Sequence, residues 1–574
     1  MSIRIAASLV VACATATLLA SCGGGGGSES PQPPAVQSPA SPPPGSGTPS
    51  VPAVFGLQDA SRLASRATFG MPYEEILRIS GMGAEAWLDE QLTLPYSSHE
   101  EFADLLLGKL RRGEITTEGR NIALIISFWR GAWWNRAMTA PDQVQQRVAF
   151  ALSEIFVISA LGTLAANPPA ITVYNDLLLK GTTGNFRDLL YDIALSPAMG
   201  FYLSHVNNRR SDPANNVFPD QNFAREVMQL FSIGLYELNE DGSARLDGRG
   251  QLMPTYGNDD IREYAKVFTG LSYDGPNAYF GKRRPEYGNF RVPMRMFESE
   301  HEPGSKRLLN GRMVQDGGSG LDEVRQAIDS LFEHPNVGPF IGRQLIQRLV
   351  TSNPSPEYVG RVARAFNGET TGVRGDMKAV IRAILLDPEA WDPPNPQHSG
   401  KLREPVLRMT ALARQFNAQS ADGLFFNNGY RLQNYSNQHP FNAPSVFNFF
   451  SPDHSPAGEL ARNDLVAPEM QITTANTIVG MSNMLFVGAF VDGDLFSQAD
   501  TYSKTYLDIS DYVEIADDVD ALIDRLDLVM TYGRLDEPTR QAIKRNVELI
   551  GDPVQRVRTA IHLFSISPAY AVED

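Results

Sequence analysis

The run Asp142-Gln143-Val144-Gln145-Gln146-Arg147-Val148-Ala149-Phe150-Ala151-Leu152-Ser153-Glu154-Ile155-Phe156-Val157-Ile158 decides the fold class. Val144, Val148, Leu152, Ile155 and Phe156 recur at steps of three and four, the spacing that puts side chains on one face of an α-helix. Leu321, Val324, Ile328, Leu331 and Phe332 repeat the pattern, as do Val519, Leu522, Ile523, Leu526 and Met530. Gly533 follows the last stripe as a C-terminal cap, and Asp552-Pro553 supplies an N-cap and first-turn proline for the next helix. Strand signals are few. Tyr279 to Phe297, where Arg, Pro and Gly interleave with Phe and Met, reads as a short hairpin or an ordered loop. The expected fold is mainly α: a large multi-helical globular body of many short helices, with room for one small β-hairpin.

Three helix ends share a punctuation, at Ser196-Pro197, Asp387-Pro388 and Ser567-Pro568, where proline stops a helix. An internal repeat and convergent stop chemistry both account for it.

The N-terminus has a different character. Ile5 to Ala20 is apolar, follows the lone Arg4, and is shorter than the roughly 20 residues a membrane-crossing helix needs. With Leu19-Ala20-Ser21-Cys22 at its end it resembles a bacterial lipoprotein signal. That resemblance implies a signal peptide over 1–21 and lipidation at Cys22, and Gly23 after the cysteine implies the outer membrane. Residues 22–53 then run through five glycines into Ser, Pro and Ala, with Glu29 the only charge, a composition expected to remain a disordered linker. The helical domain is expected over 54–574.

Cys13 and Cys22 are the only cysteines, so no disulfide or thiolate metal site is expected in the body. A net charge of -16 argues against nucleic acid, whose partners carry a basic face. Attachment to the membrane would rest on the acyl chains at Cys22, of which two or more are needed for a stable anchor.

Several segments carry a family resemblance. They are Ala60-x-x-Leu63-x-x-Arg66-Ala67-Thr68-Phe69-Gly70, Phe128-Trp129, Gln146 to Ser153, Asn222 to Gly234, Phe268-Thr269-Gly270, His301-Glu302 with Lys306, and Pro444 to Phe450. In order and number they resemble the bacterial family known as domain of unknown function 1800, over most of residues 55–574. The resemblance implies a mostly helical fold and an envelope habitat, and brings no mechanism. It also implies a partner, since members are often encoded beside an exported sulfatase-like family, domain of unknown function 1501.

Chemistry is most concentrated on the helix opened by Asp220. Asn222, Arg225, Glu226 and Gln229 share one face, while Phe223, Val227, Leu230 and Phe231 take the other. Such a face is a site, a solvated surface, or a set of buried polar staples. As a site, Arg225 would clamp an anion and Glu226 would act as a base. The preceding loop, with His205 and Asn215, offers backbone N–H groups or side-chain oxygens to an ion, or is an ordinary turn-rich connection. His301-Glu302 with Lys306 is a further candidate, or His301 is a hydrogen-bonded structural residue whose partners are not close in sequence.

No His-Glu-x-x-His, phosphate loop, dinucleotide fingerprint or Gly-x-Ser-x-Gly elbow occurs, so no cofactor or metal is expected. Asn239, Asp241 and Ser243 have the oxygen spacing of a calcium loop, but Ala244 stands where that loop needs glycine. The aromatic run Phe441 to Phe450 lines a carbohydrate or peptide groove, or belongs to the core. Two classes of function stay open. One is a non-catalytic envelope lipoprotein, a scaffold or partner-binding protein working with another exported protein. The other is a hydrolase of an envelope or extracellular polymer, with Glu226, His205 or His301 as acid or base.

Overall fold

The computed structural model describes residues 55–114, 121–420, 423–425, 430–490 and 505–573, with backbone alone for 121–127 and 430–431. The expected signal peptide, the linker and Cys22 lie outside the described residues. Among the described residues the chain forms 25 α-helices, most of three turns or fewer, joined by short connections and 3-10 turns. The mainly helical fold read from the apolar periodicity is the observed one. None of the described helices is long and apolar enough to cross a membrane.

The helix Gln143–Ser153 sits at the centre. All of its residues are buried, including the polar Gln143, Gln145, Gln146 and Arg147. It is therefore enclosed on every side, and it packs against Leu57–Ala67, Ala84–Thr93, Asn121–Thr139, Pro168–Thr183 and Val337–Leu349. Hydrogen bonds offset part of the cost of burying these polar groups, although Gln143 Oε1 and Arg147 Nε and Nη1 have no partner among the described residues. The Gln145 amide donates to the carbonyl of Leu94 at 2.7 Å and Gln146 to that of Ser97 at 3.1 Å. Arg147 donates to the carbonyl of Arg348 at 2.5 Å. One continuous apolar core surrounds this helix, drawing on residues from Ala60 to Tyr570. Edge-to-face ring contacts stiffen it, with Phe69 at 5.2 Å and Phe150 at 5.8 Å from Trp133.

The proline punctuation does more than stop helices. Pro197, Pro388 and Pro568 each occupy the first turn of a new short helix, with Ser196, Asp387 and Ser567 as N-caps. Each pair thus ends one helix and opens another, because proline's missing N–H is no loss there. Asp552 caps the helix Pro553–Ser565 as its spacing predicts. The helix Val519–Thr531 ends one residue earlier than Gly533 suggests. Tyr532 itself takes the left-handed conformation, with φ of 52°, its hydroxyl held by Arg403.

Strand content is small, four two-stranded ladders among the described residues. Leu271–Ser272 pairs with Arg295–Met296, so the segment 279–297 contributes one strand and meets a partner upstream of it. A further meander, unread in the sequence, spans 235–255, where Glu237 bonds Met253 and Arg245 bonds Glu237, each at 2.8 Å. Its turn absorbs the calcium-like spacing: Asp241 accepts from the Ser243 N–H at 2.9 Å, and Asn239 from the chain donates to the Ser243 hydroxyl at 3.0 Å. Val572–Glu573 pairs with Lys401–Leu402, tying late residues to the middle of the chain.

Candidate functional site

The signature helix runs Asn222–Gln229, with Phe223 and Val227 in the core and Asn222 and Arg225 exposed. Glu226 is buried beside them, one carboxylate oxygen has no partner among the described residues, and burial raises its pKa against the pull of Arg225. His205 lies upstream, stacked on the Phe223 ring at 3.9 Å and bonded through Nε2 to the carbonyl of Ala194 at 3.0 Å. Burial pushes its pKa down to about 4, so it is neutral at pH 7. Asn215 is exposed and donates to Asp212 at 2.7 Å.

The loop before this helix spends many of its polar groups on protein partners. Asn208 and Asp220 bond each other through Asn208 Oδ1 at 2.8 Å, and Glu302 accepts the Ser211 N–H at 2.6 Å.

His301 and Lys306 are brought together. Both reach Oε2 of Glu323, at 2.9 and 2.6 Å, while His301 Nδ1 meets the carbonyl of Thr269 at 2.9 Å and Lys306 donates to that of Glu302 at 2.7 Å. All three side chains are buried. Gly270 makes this packing possible: at φ of 83°, a Cβ there would stand 2.9 Å from the carbonyl of Phe297. The cluster fastens the 297–306 loop to the helix Gly320–Phe332.

The concavity lies at the other end of the signature run. Gln229, Leu230 and Gly234 form one wall of a pocket of about 390 Å³, and none of the seven candidates above lines it. The helix Val337–Leu349 supplies Phe340, Arg343, Gln344, Gln347 and Arg348, which helical spacing puts on one face. The meander contributes Leu235, Tyr236 and Leu238, and the 446–453 loop contributes Phe447, Asn448 and Phe450. Gly234 lets the chain turn over Phe340, at φ of 72° and with only 2.8 Å between the ring and where a Cβ would be.

The rim is apolar and open: Leu235, Tyr236 and Phe447 are 47, 44 and 56% exposed. The lining beneath is polar and under-bonded. Gln344 Nε2, Gln347 Oε1, Arg348 Nε and Glu154 Oε2 are buried without hydrogen-bond partners among the described residues. A buried polar atom left unpaired costs about 1–3 kcal/mol, so several around one cavity point to a ligand or solvent that completes them.

Glu154, at the end of the central helix, joins the pocket to a buried charge network. Its carboxylate lies 3.7 Å from Arg348 and 3.4 Å from Asn448. Behind it Glu404 accepts from Gln438 at 2.5 Å, and Lys401 bridges to Glu469 at 3.2 Å and to Glu404 at 3.9 Å. Burial and the adjacent Glu404 carboxyl hold the Glu154 pKa well above the usual carboxylate range, against the attraction of Arg348. Burial raises Glu469 as well, although Lys401 opposes it. Glu404 has a close amide partner and a lysine, whereas Glu154 has longer contacts, so less opposes the upward push of burial on Glu154.

Sequence reasoning singled out the signature run and the Phe441–Phe450 segment, and these do meet in the pocket. It passed over Glu154, Arg348, Lys401, Glu404 and Glu469, which lie far apart in the chain. A usable signal was Glu154 itself, one acid inside the apolar run Phe150 to Ile158. Among the described residues no three His, Cys, Asp or Glu side chains converge as metal ligands do.

A many-helix body built on a wholly buried central helix, with an aromatic-rimmed pocket where two conspicuous sequence motifs meet, is the class that fold and site define. The chain belongs to the family described as "Protein of unknown function (DUF1800)", which residues 62–572 match. No curated protein and no solved structure matches the chain.

Proposed function

We propose that this protein is a partner-binding lipoprotein of the bacterial cell envelope, anchored through lipid at Cys22 to the outer membrane, whose pocket receives a segment of another exported protein. The observation that carries the binding reading is the pairing of an exposed apolar rim, Leu235, Tyr236 and Phe447, with unpartnered polar atoms beneath it. An extended segment can bury side chains against such a rim while its amides meet the glutamines below. The Ser, Pro and Gly tract of residues 23–53 would give the body reach from the lipid surface. A sulfatase-like protein of the domain of unknown function 1501 family is the proposed partner.

The test is direct binding of that purified protein, measured by calorimetry against wild type and Phe447→Ala. Burying one large apolar side chain is worth about 1.5–3 kcal/mol, so the variant should bind at least tenfold more weakly. A complex unaffected by Phe447→Ala would remove the pocket from the interface, and no complex at all would remove this partner.

One observation favours a second reading, a hydrolase of an envelope or extracellular polymer. A proton-holding carboxyl at a pocket wall is the property of a general acid, and Glu154 has it. Polymer cleavage by wild type that Glu154→Gln abolishes without loss of fold would establish this reading in place of the first.

A further inference from the structure

A second concavity of about 400 Å³ adjoins the Phe447 pocket, and Gly242 and Arg343 line both. Its floor is formed by Arg62 and Arg66, one turn apart on the helix Leu57–Ala67 and 6 and 4% exposed. Two guanidinium groups so placed repel each other and have given up most of their hydration.

Backbone carbonyls are among their partners. Arg62 donates to the carbonyl of Trp391 at 2.8 Å and Arg66 to that of Ala390, consecutive carbonyls at the end of the helix Pro388–Trp391. Nε of Arg66 is buried with no partner among the described residues. The burial lowers the Arg66 pKa against a raising effect of Glu573, which marks a cation short of compensation.

Two of the three acids around the cavity are committed elsewhere. Glu389 accepts from the Ser355 N–H at 2.9 Å and lies 3.8 Å from Arg361. Asp241 is taken up by Ser243. Asp464 stands exposed at the edge. Thr351, Asn353 and Ser355 also line the space, their side-chain donors engaged with the carbonyls of Gly400 and Val466 and with Glu389, so the arginines are the donors that face a ligand.

We infer that this cavity is an oxyanion-binding site for a carboxylate, sulfate or phosphate group, with Arg66 Nε as the donor the fold leaves open. The site goes beyond the partner-binding reading and does not depend on what fills the Phe447 pocket. Because the two cavities share a wall, a single extended ligand can place its anionic group here and its apolar part against Phe447.

Calorimetric titration of the protein with sodium phosphate, sulfate and acetate, at constant ionic strength made up with chloride, tests the inference. At least one anion should bind saturably at one site. Arg66→Gln and Arg343→Glu should each weaken it tenfold or more, and Phe447→Ala should leave it unchanged. Arg343 is 42% exposed in its side chain, so its variant decides the matter if Arg66→Gln fails to fold. Phenyl phosphate separates the sources: tighter binding than phosphate that requires Phe447 assigns the anion to a longer ligand, and equal binding assigns it to a free ion. No saturable binding of any of the three anions, or binding undiminished in the variants, overturns the inference.

Discussion

Substituting Glu154→Gln tests the protonated carboxyl between pocket and core. Its pKa in the folded state lies well above the ordinary value of 4.5, so the native protein keeps a proton that the unfolded chain releases. The stability this contributes is complete below the unfolded pKa and is lost as pH rises toward and through the folded one. One such proton is worth about 1.4 kcal/mol per pH unit. Glutamine has the same shape and no proton to lose. Its stability relative to wild type should therefore improve as pH rises above 4.5, by at most about 1.4 kcal/mol per pH unit, and level off once the folded carboxyl has itself ionised. Urea unfolding followed by tryptophan fluorescence at three pH values measures the difference, and groups common to both proteins cancel from it. If Glu154 is instead ionised against Arg348, removing its charge strands a buried guanidinium. The variant would then lose about 3–5 kcal/mol at every pH, with a flat difference, and the assignment of the proton would be refuted.

The buried histidines give the opposite pH dependence. Burial pushes His99 and His205 down to about 4 and His439 to about 3, so their contribution is lost as pH falls below the unfolded value of 6.5. His205→Leu should flatten the decline between pH 6.5 and 4 by one proton, about 1.4 kcal/mol per unit, in the pH series of urea midpoints. Asp176, on Pro168–Thr183, accepts from Ser98 Oγ at 2.5 Å and from the N–H groups of His99 and Glu100 at 2.7 and 3.1 Å. Asp176→Ala strands these donors at the start of His99–Arg111 and should cost about 2–3 kcal/mol, with faster hydrogen exchange confined to that helix.

The helices were legible because local spacing encodes them: Val144, Val148 and Leu152 need no knowledge of the rest of the chain. The depth of burial was not. Arg147 looks solvent-facing on a helical wheel, and only its bond to the carbonyl of residue 348, 201 positions away, explains its presence in the core. The signature run illustrates the same limit. Its polar face drew attention to Arg225 and Glu226, whereas the pocket is built by Gln229 and Gly234 at its far end. The meander over 235–255 escaped notice because its pairs are single bridges separated by turns, with no sustained alternation to read. Glu154, Lys401, Glu404 and Glu469 form one network across more than three hundred positions, and no spacing rule links them.

Glu573 closes a loop of a different kind. Its carboxylate accepts from Ser65 on the first described helix at 2.6 Å across 508 positions, beside its pairing with Lys401. The opening helix therefore has no finished seat until synthesis has passed residue 573. A nascent chain must wait with that seam unsealed, and a chain cut before Glu573 would leave it open for good.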